Sequence, residues 1–180
     1  GGAMEGRART QQPPTVVVHP NRDTAAAKAT RVAIVALLVA SIGLFLIVTI
    51  GGWSQLQGGQ IVPLAYALLY GLIAIMVLRW RRGVLPVVAA LATLIAVIAA
   101  IAGPAWFDRD RAGFERSNID AELLGTLTLA IVPVQLLLVA FALRGFAQKW
   151  NVEVELDDEE ARRYFRGDWH GSALRGRASA

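Results

Sequence analysis

The sequence contains no cysteine and only two histidines among its 180 residues. The lack of cysteine excludes a disulfide framework, a thiolate metal site and a cysteine nucleophile. His19 and His170 lie in opposite tails, beside a proline and a tryptophan, so we expect exposed side chains rather than metal ligands. Because no set of nucleophile, general base and metal ligands can be found, we predict no enzymatic activity, no metal and no cofactor.

Charged residues are scarce in the middle of the chain. Only 11 of the 32 charged residues fall within the 112 residues 32–143, and the other 21 fall within the 68 residues of the two tails. Apolar residues make up 55% of the chain, which is modestly above the usual share in a globular protein. The uneven placement of charge therefore predicts an integral membrane protein rather than a soluble domain.

Four uninterrupted apolar runs account for this uncharged middle. Each is 18 to 21 residues long and lacks Asp, Glu, Lys, Arg and His. A helix rises about 1.5 Å per residue, so each run just crosses a hydrocarbon layer of about 30 Å. A barrel strand would instead alternate in polarity over roughly 10 residues. We therefore predict an all-α fold with four transmembrane helices, at residues 32–50, 61–78, 84–102 and 123–143.

The Lys and Arg residues outside the four runs predict the orientation of the chain. With four spans, the two tails and the second connection share one side of the membrane and carry fifteen of these residues, against three on the other side. By the positive-inside rule, both termini are predicted to be cytoplasmic. The Ala, Arg and Gly bias suggests a bacterial inner membrane. Because the arginines flank spans instead of forming a patch with aromatic residues, we expect no nucleic-acid binding.

The chain divides into two tails and the transmembrane domain between them. Prolines among Gln, Thr and Arg predict an N-terminal tail that is disordered up to about Asp23, and Gly1–Ala3 have the composition of a tag remnant before a native start at Met4. Asp23 or Thr24 is placed to cap a helix that leads into the first span. The predicted parts are residues 1–30, 31–150 and 151–180, and both tails are expected to be cytoplasmic.

The C-terminal tail is expected to contain a short strand and a short helix. Apolar and acidic residues alternate over 152–156, which is the period of a half-buried strand, and Asp157 is placed as the N-cap of a helix that ends at Gly167. An isolated strand cannot satisfy its backbone, so we expect it to pair with the same tail of a second copy or with a separate protein. The alternative is an accidental alternation in a disordered tail. The residues expected to make these contacts are Val152, Val154, Leu156, Tyr164 and Phe165.

The fourth apolar run contains Gln135, the most polar residue within any predicted span. Two residues earlier, Pro133 removes the amide that would bond the carbonyl of Leu129, and this carbonyl needs cover inside a bilayer. Thr128, Gln135 and Ala142 recur every seven residues and therefore share one helix face. This polar stripe has two interpretations. It lines a water-filled path between subunits, or it is a packing seam in which Gln135 bonds across helices.

Small residues at four-residue spacing predict close packing between helices. They let two helix backbones approach where lipid removes the hydrophobic drive for association. Ala99, on the third run, also stands four positions before Gly103, which directly follows that run. The residues predicted to pack in this way are Ala92, Ala96 and Ala100 on the third helix and Ala67 and Gly71 on the second.

Two functions are consistent with these features. The spans carry no ionisable residue, which argues against a proton pump or an ion-coupled carrier. The first hypothesis is a homo-oligomeric channel or pore-like assembly with the fourth helix toward the axis, because one bundle packed by alanines has no room for a wide pore. The second is a non-catalytic membrane scaffold or accessory subunit that recruits a partner through its cytoplasmic tail. The expected partners are the lipid bilayer, further copies of the chain and a cytoplasmic protein.

Overall fold

The computed structural model describes residues 15–56, 58–109 and 116–168. The chain separates into a helical bundle, residues 21–151, and a second unit made from the segments that precede and follow these residues in the sequence. We call the described part of this second unit, residues 15–20 and 152–168, the tail module. The expected tag remnant, most of the expected disordered tail and His170 lie outside the described residues.

Four long helices form the bundle, and a short helix, α1, Pro20–Asp23, precedes them. Each of the four is long and apolar enough to cross a membrane, which confirms the four helices predicted from the apolar runs. The second of the four matches its run exactly, and the last continues through Pro133 without a break. The four helices are α2, Ala25–Gly51, α3, Ile61–Leu78, α4, Leu85–Phe107, and α5, Ala121–Ala147.

Two helix ends show how the elements extend beyond the apolar runs. The Oγ1 atom of Thr24 accepts a hydrogen bond of 3.1 Å from the amide of Ala27, so Thr24 caps α2 as predicted. Helix α4 extends beyond the C-terminal end of its predicted span, 84–102. It continues through Pro104 to Phe107, where a connection was expected. A proline in the last turn removes only one helical bond, and burial of Trp106, which is 3% exposed, stabilises the extra turn.

The helices pack in the order α3, α2, α5, α4, with the tightest packing between α4 and α5. The core contains buried aliphatic side chains such as Ile34, Leu38 and Leu138, together with Tyr70. The outer faces also carry large apolar side chains, including Ile61, which is 74% exposed. An exterior with so many exposed large apolar side chains is unusual for a soluble protein and typical of a surface that contacts lipid or protein.

The chain enters and leaves the bundle at the same end. Near the start of α2, Nδ2 of Asn21 donates to the carbonyls of Gln148 at 3.3 Å and Lys149 at 3.1 Å, just beyond α5. Nε2 of Gln148 donates to Oγ1 of Thr30 at 3.0 Å. We call this the basic end, because it also holds the arginines of residues 79–82, and we call the opposite end the loop end. A chain with an even number of spans must enter and leave the membrane on the same side, as this chain enters and leaves the bundle at the same end.

The tail module is built around a two-stranded antiparallel sheet. Strand β1, Val16–Val18, pairs with β2, Val154–Leu156, with Val16 opposite Leu156 and Val18 opposite Val154. Helix α6, Asp158–Arg166, follows β2 and is capped by Asp157, whose Oδ1 accepts hydrogen bonds from the amides of Glu159 and Glu160. The helix ends at Gly167, which has a φ of 84°, the left-handed conformation that glycine adopts without strain.

The pairing of β1 with β2 corrects two expectations. The strand partner is neither a second copy nor another protein, because the N-terminal segment of the same chain supplies it. Disorder up to about Asp23 was also wrong for residues 16–23, which form β1 and α1. The physical reason is local: three consecutive β-branched valines favour an extended strand, and β2 offers them a backbone partner and an apolar face.

Candidate functional site

The polar centre of the bundle is the side chain of Gln135, which is fully buried. Its Oε1 accepts a hydrogen bond of 2.8 Å from the hydroxyl of Tyr70, and its Nε2 donates to Oγ of Ser41, also at 2.8 Å. Ser41 in turn donates to the carbonyl of Leu37 at 2.7 Å. One amide therefore joins α5 to both α2 and α3, and its polar atoms are satisfied within a single chain.

The rest of the predicted stripe faces the same interior. Thr128 is 5% exposed and donates to the carbonyl of Leu124 at 2.7 Å, and Ala142 is fully buried. All three stripe residues therefore contact other helices of their own bundle rather than an outer face. This geometry matches the packing-seam interpretation, and lining of a path between subunits by these residues stays a prediction.

The predicted small residues differ in their placement. Ala67, Ala92 and Ala96 are buried, whereas Ala100 is exposed. A Cβ atom at Gly71 would meet no atom within 4 Å, so α3 makes no close approach there within this chain. Packing of Ala100 and Gly71 against a second copy stays a prediction.

The closest approach between helices occurs where α4 meets α5. A Cβ atom at Gly103 would lie 2.5 Å from Cδ2 of Leu129, and one at Gly125 would lie 3.2 Å from the carbonyl oxygen of Gly103. Gly125 was missed by the sequence reasoning, although it follows the buried Ala121 by four positions and so carries the same small-residue signal. The two glycines let these helices pack most tightly.

An apolar cavity of about 400 Å³ lies near the loop end, between the four helices. Its wall includes Phe45 and Trp106, and its polar side chains are Thr49 and Thr128. The hydroxyl of Thr49 donates to the carbonyl of Phe45 at 2.6 Å, and that of Thr128 is likewise bonded within its helix. Among the described residues, the wall of this cavity is therefore almost entirely apolar, and the hydroxyls of its two threonines are already bonded within their own helices.

At the basic end, Trp80 adopts a left-handed backbone conformation with a φ of 58°. It follows α3 in a C-terminal capping motif, in which its amide bonds the carbonyl of Val77 and the amide of Arg81 bonds that of Met76. The indole ring packs edge-on against Trp150 at 5.1 Å, and the guanidinium of Arg31 lies 4.2 Å from the ring centroid. Aromatic and cation–π contacts therefore hold a conformation that usually requires glycine.

The tail module uses most of the predicted contact residues for its own core. Val154 and Leu156 are buried, and the half-buried side chains of Val152 and Tyr164 pack against them. Phe165 is 72% exposed, and on β1 the side chain of Val17 is 50% exposed. The module thus combines a folded interior with exposed apolar side chains on α6 and β1.

The described residues contain no group of three or more His, Cys, Asp or Glu side chains that could hold a metal ion. Comparison with protein-family models, curated proteins and solved structures finds no match to this chain.

Proposed function

We propose that this chain is an integral protein of a bacterial inner membrane, with both termini in the cytoplasm. We further propose that it acts as a non-catalytic accessory or scaffold subunit and recruits a cytoplasmic protein through its tail module. The observation that carries this proposal is a folded tail module with Phe165 exposed.

The membrane placement is supported by the four apolar helices and their apolar outer faces. Inside lipid, every backbone polar group needs an internal partner, which helices provide. The orientation is supported by the basic end, where the chain enters and leaves the bundle and where the arginine-rich connection of residues 79–82 also lies. Basic residues are retained on the cytoplasmic side of bacterial membranes, so the tail module belongs in the cytoplasm.

Recruitment of a partner is supported by the surface of the tail module. In a two-stranded sheet, only one edge of each strand is paired. Within the described residues no third strand pairs with the outer edge of β1 or β2, and such an edge can accept a strand from another protein. Val17 on β1 and Phe165 on α6 add exposed apolar area. Exposed aromatic side chains are among the residues that contribute most to protein–protein interfaces.

The homo-oligomeric channel, which was the first hypothesis from the sequence, becomes the second candidate here. The large apolar side chains on the outer faces, such as Leu68 at 70% exposure, would be buried if several copies associated. A water-filled path, however, needs polar side chains at its axis, and Gln135 is bonded to Tyr70 and Ser41 inside its own bundle. The scaffold function requires no rearrangement of these bonds, and we favour it for that reason.

The test is site-specific photocrosslinking in the intact membrane. A photoreactive phenylalanine analogue replaces Phe165 in the full chain, and a matched variant carries it at Ser54, an exposed residue of the loop end. We expect one discrete product at Phe165 that contains a second, different protein, and no such product at Ser54. Products containing only this chain would favour the homo-oligomer, and the lack of any product at Phe165 would contradict recruitment through α6.

A further inference from the structure

A second hollow, of about 520 Å³, lies at the basic end of the bundle. Three arginines line it: Arg22 comes from α1, and Arg81 and Arg82 come from the connection between α3 and α4. The described residues that form its wall include no Asp or Glu. Three positive charges around one concave surface, without an acidic side chain in the wall, focus a field that attracts anions.

Two of these guanidinium groups are held in place by the protein. Nε of Arg22 donates to the carbonyl of Trp150 at 2.8 Å, and Nε of Arg82 donates to the carbonyl of Phe146, also at 2.8 Å. Arg82 also donates from Nη1 to Oδ1 of Asn151 at 3.0 Å, and its guanidinium lies 4.0 Å from the ring centroid of Phe146. These contacts order the arginines before a ligand arrives, which reduces the entropy lost on binding.

The third arginine has its donors available. Arg81 is exposed, and within residues 15–56, 58–109 and 116–168 no hydrogen bond engages its guanidinium. The remaining wall of the hollow is largely apolar. The side chains that form this apolar part are Met76, Trp80, Val84 and Phe146. The hollow thus joins a cationic region to an apolar wall at the ends of helices that are long enough to span a membrane.

We propose that this hollow binds a phosphate group, carried by an anionic phospholipid of the cytoplasmic leaflet. Guanidinium groups match phosphate oxygens in geometry and charge, and basic pockets beside transmembrane helices on the cytoplasmic side suit lipid headgroups. The apolar wall would contact the part of the lipid that adjoins the headgroup. The residues of this site belong to the bundle and not to the tail module, and the proposal rests only on the proposed membrane placement.

The experiment titrates the full-length protein, purified in a neutral detergent, with phosphatidylglycerol, phosphatidylcholine or inorganic phosphate, and counts bound ligands by native mass spectrometry. We expect phosphatidylglycerol to bind more tightly than phosphatidylcholine. Arg81→Gln should weaken its binding about fivefold, the effect of one arginine near a membrane surface. Arg79→Gln is the matched control, because Arg79 is exposed in the same connection and does not line the hollow. Because Arg79 does not line the hollow and its charge acts only at a distance, where salt screens it, Arg79→Gln should weaken binding less than Arg81→Gln does.

Each outcome has a defined meaning. Saturable binding of inorganic phosphate that Arg81→Gln weakens, without binding of phosphatidylglycerol, would support the phosphate site and assign it to a soluble ligand. Equal affinity for phosphatidylcholine and phosphatidylglycerol would overturn the proposal, and so would equal losses in Arg79→Gln and Arg81→Gln. A failure of crosslinking at Phe165 would leave this proposal untouched, because the two tests probe different units of the chain.

Discussion

The hydroxyl of Tyr70 on α3 donates a hydrogen bond of 2.8 Å to Oε1 of Gln135 on α5, 65 positions further along the chain. The same amide donates from Nε2 to Ser41 on α2. Three of the four long helices therefore meet through one side chain. Since most of the side chains buried between the helices are apolar, this network helps to fix how the three helices align along their axes.

Tyr70→Phe should destabilise the bundle by about 0.6 kcal/mol, the mean measured for hydrogen bonds between transmembrane helices, and by no more than about 1.7 kcal/mol, the largest such value. The substitution removes only the hydroxyl and leaves an acceptor of the buried Gln135 unpaired. Tyr66→Phe is the matched control, because the structure shows no hydrogen bond at the Tyr66 hydroxyl within the described residues. Unfolding in mixed detergent micelles measures both, and equal destabilisation by the two variants would refute the role of the bond.

Gly103→Ala should destabilise the bundle by about 1 to 3 kcal/mol, as overpacking of a tight contact does. A new Cβ would lie 2.5 Å from Leu129, so α4 and α5 would have to separate or Leu129 would have to move. Gly71→Ala, where a Cβ meets nothing within 4 Å, should instead be neutral or stabilise α3 by up to about 1 kcal/mol. Thermal unfolding of the purified protein in detergent shows whether each substitution lowers or raises the stability of the bundle.

The four helices were predictable because lipid imposes a length and an apolar composition that can be counted in one sequence. The inward direction of Gln135 was not predictable from the sequence. A stripe of residues that recurs every seven positions on α5 can face either the interior of the bundle or its outside. That choice depends on where Tyr70 and Ser41 lie, and packing between distant segments decides it. The extension of α4 to Phe107 was missed for a related reason, because the burial of Trp106 depends on neighbouring helices.

Trp80→Ala should be less stable than Trp80→Gly by about 1 to 2 kcal/mol. Both variants lose the ring contacts with Trp150 and Arg31, so their difference isolates the backbone. Glycine adopts a φ of 58° freely, whereas alanine meets a steric penalty there. Chemical unfolding of the two variants in the same detergent gives this difference directly, and an alanine variant as stable as the glycine variant would show that Trp80 is not strained.

The absence of native cysteine allows a direct test of orientation. Single cysteines replace Ser54 at the loop end and Gly83 at the basic end, both of which are exposed. An impermeant thiol reagent applied to intact spheroplasts should label Ser54→Cys at once and Gly83→Cys only after the membrane is permeabilised. The reverse pattern would place the tail module outside the cytoplasm, and it would remove the basis for a cytoplasmic partner.

The pairing of β1 with β2 predicts that the two tails protect each other from proteolysis. Val18 is buried against Val154 and Leu156, so Val18→Asp places a charge in the core of the tail module and should unfold it. Val17→Asp is the matched control, because the side chain of Val17 is 50% exposed on the same strand.

Limited trypsin digestion of the full chain in membranes gives the readout, since Arg162 and Arg163 lie in α6. Val18→Asp should accelerate cleavage there, although the substitution lies far away in the sequence, because α6 loses the sheet against which Ala161 packs. Val17→Asp should be cleaved at the wild-type rate. If both variants resist cleavage as the wild type does, α6 is stable without the buried contacts of β1. The N-terminal strand would then pair with β2 but would not be needed for the folding of α6.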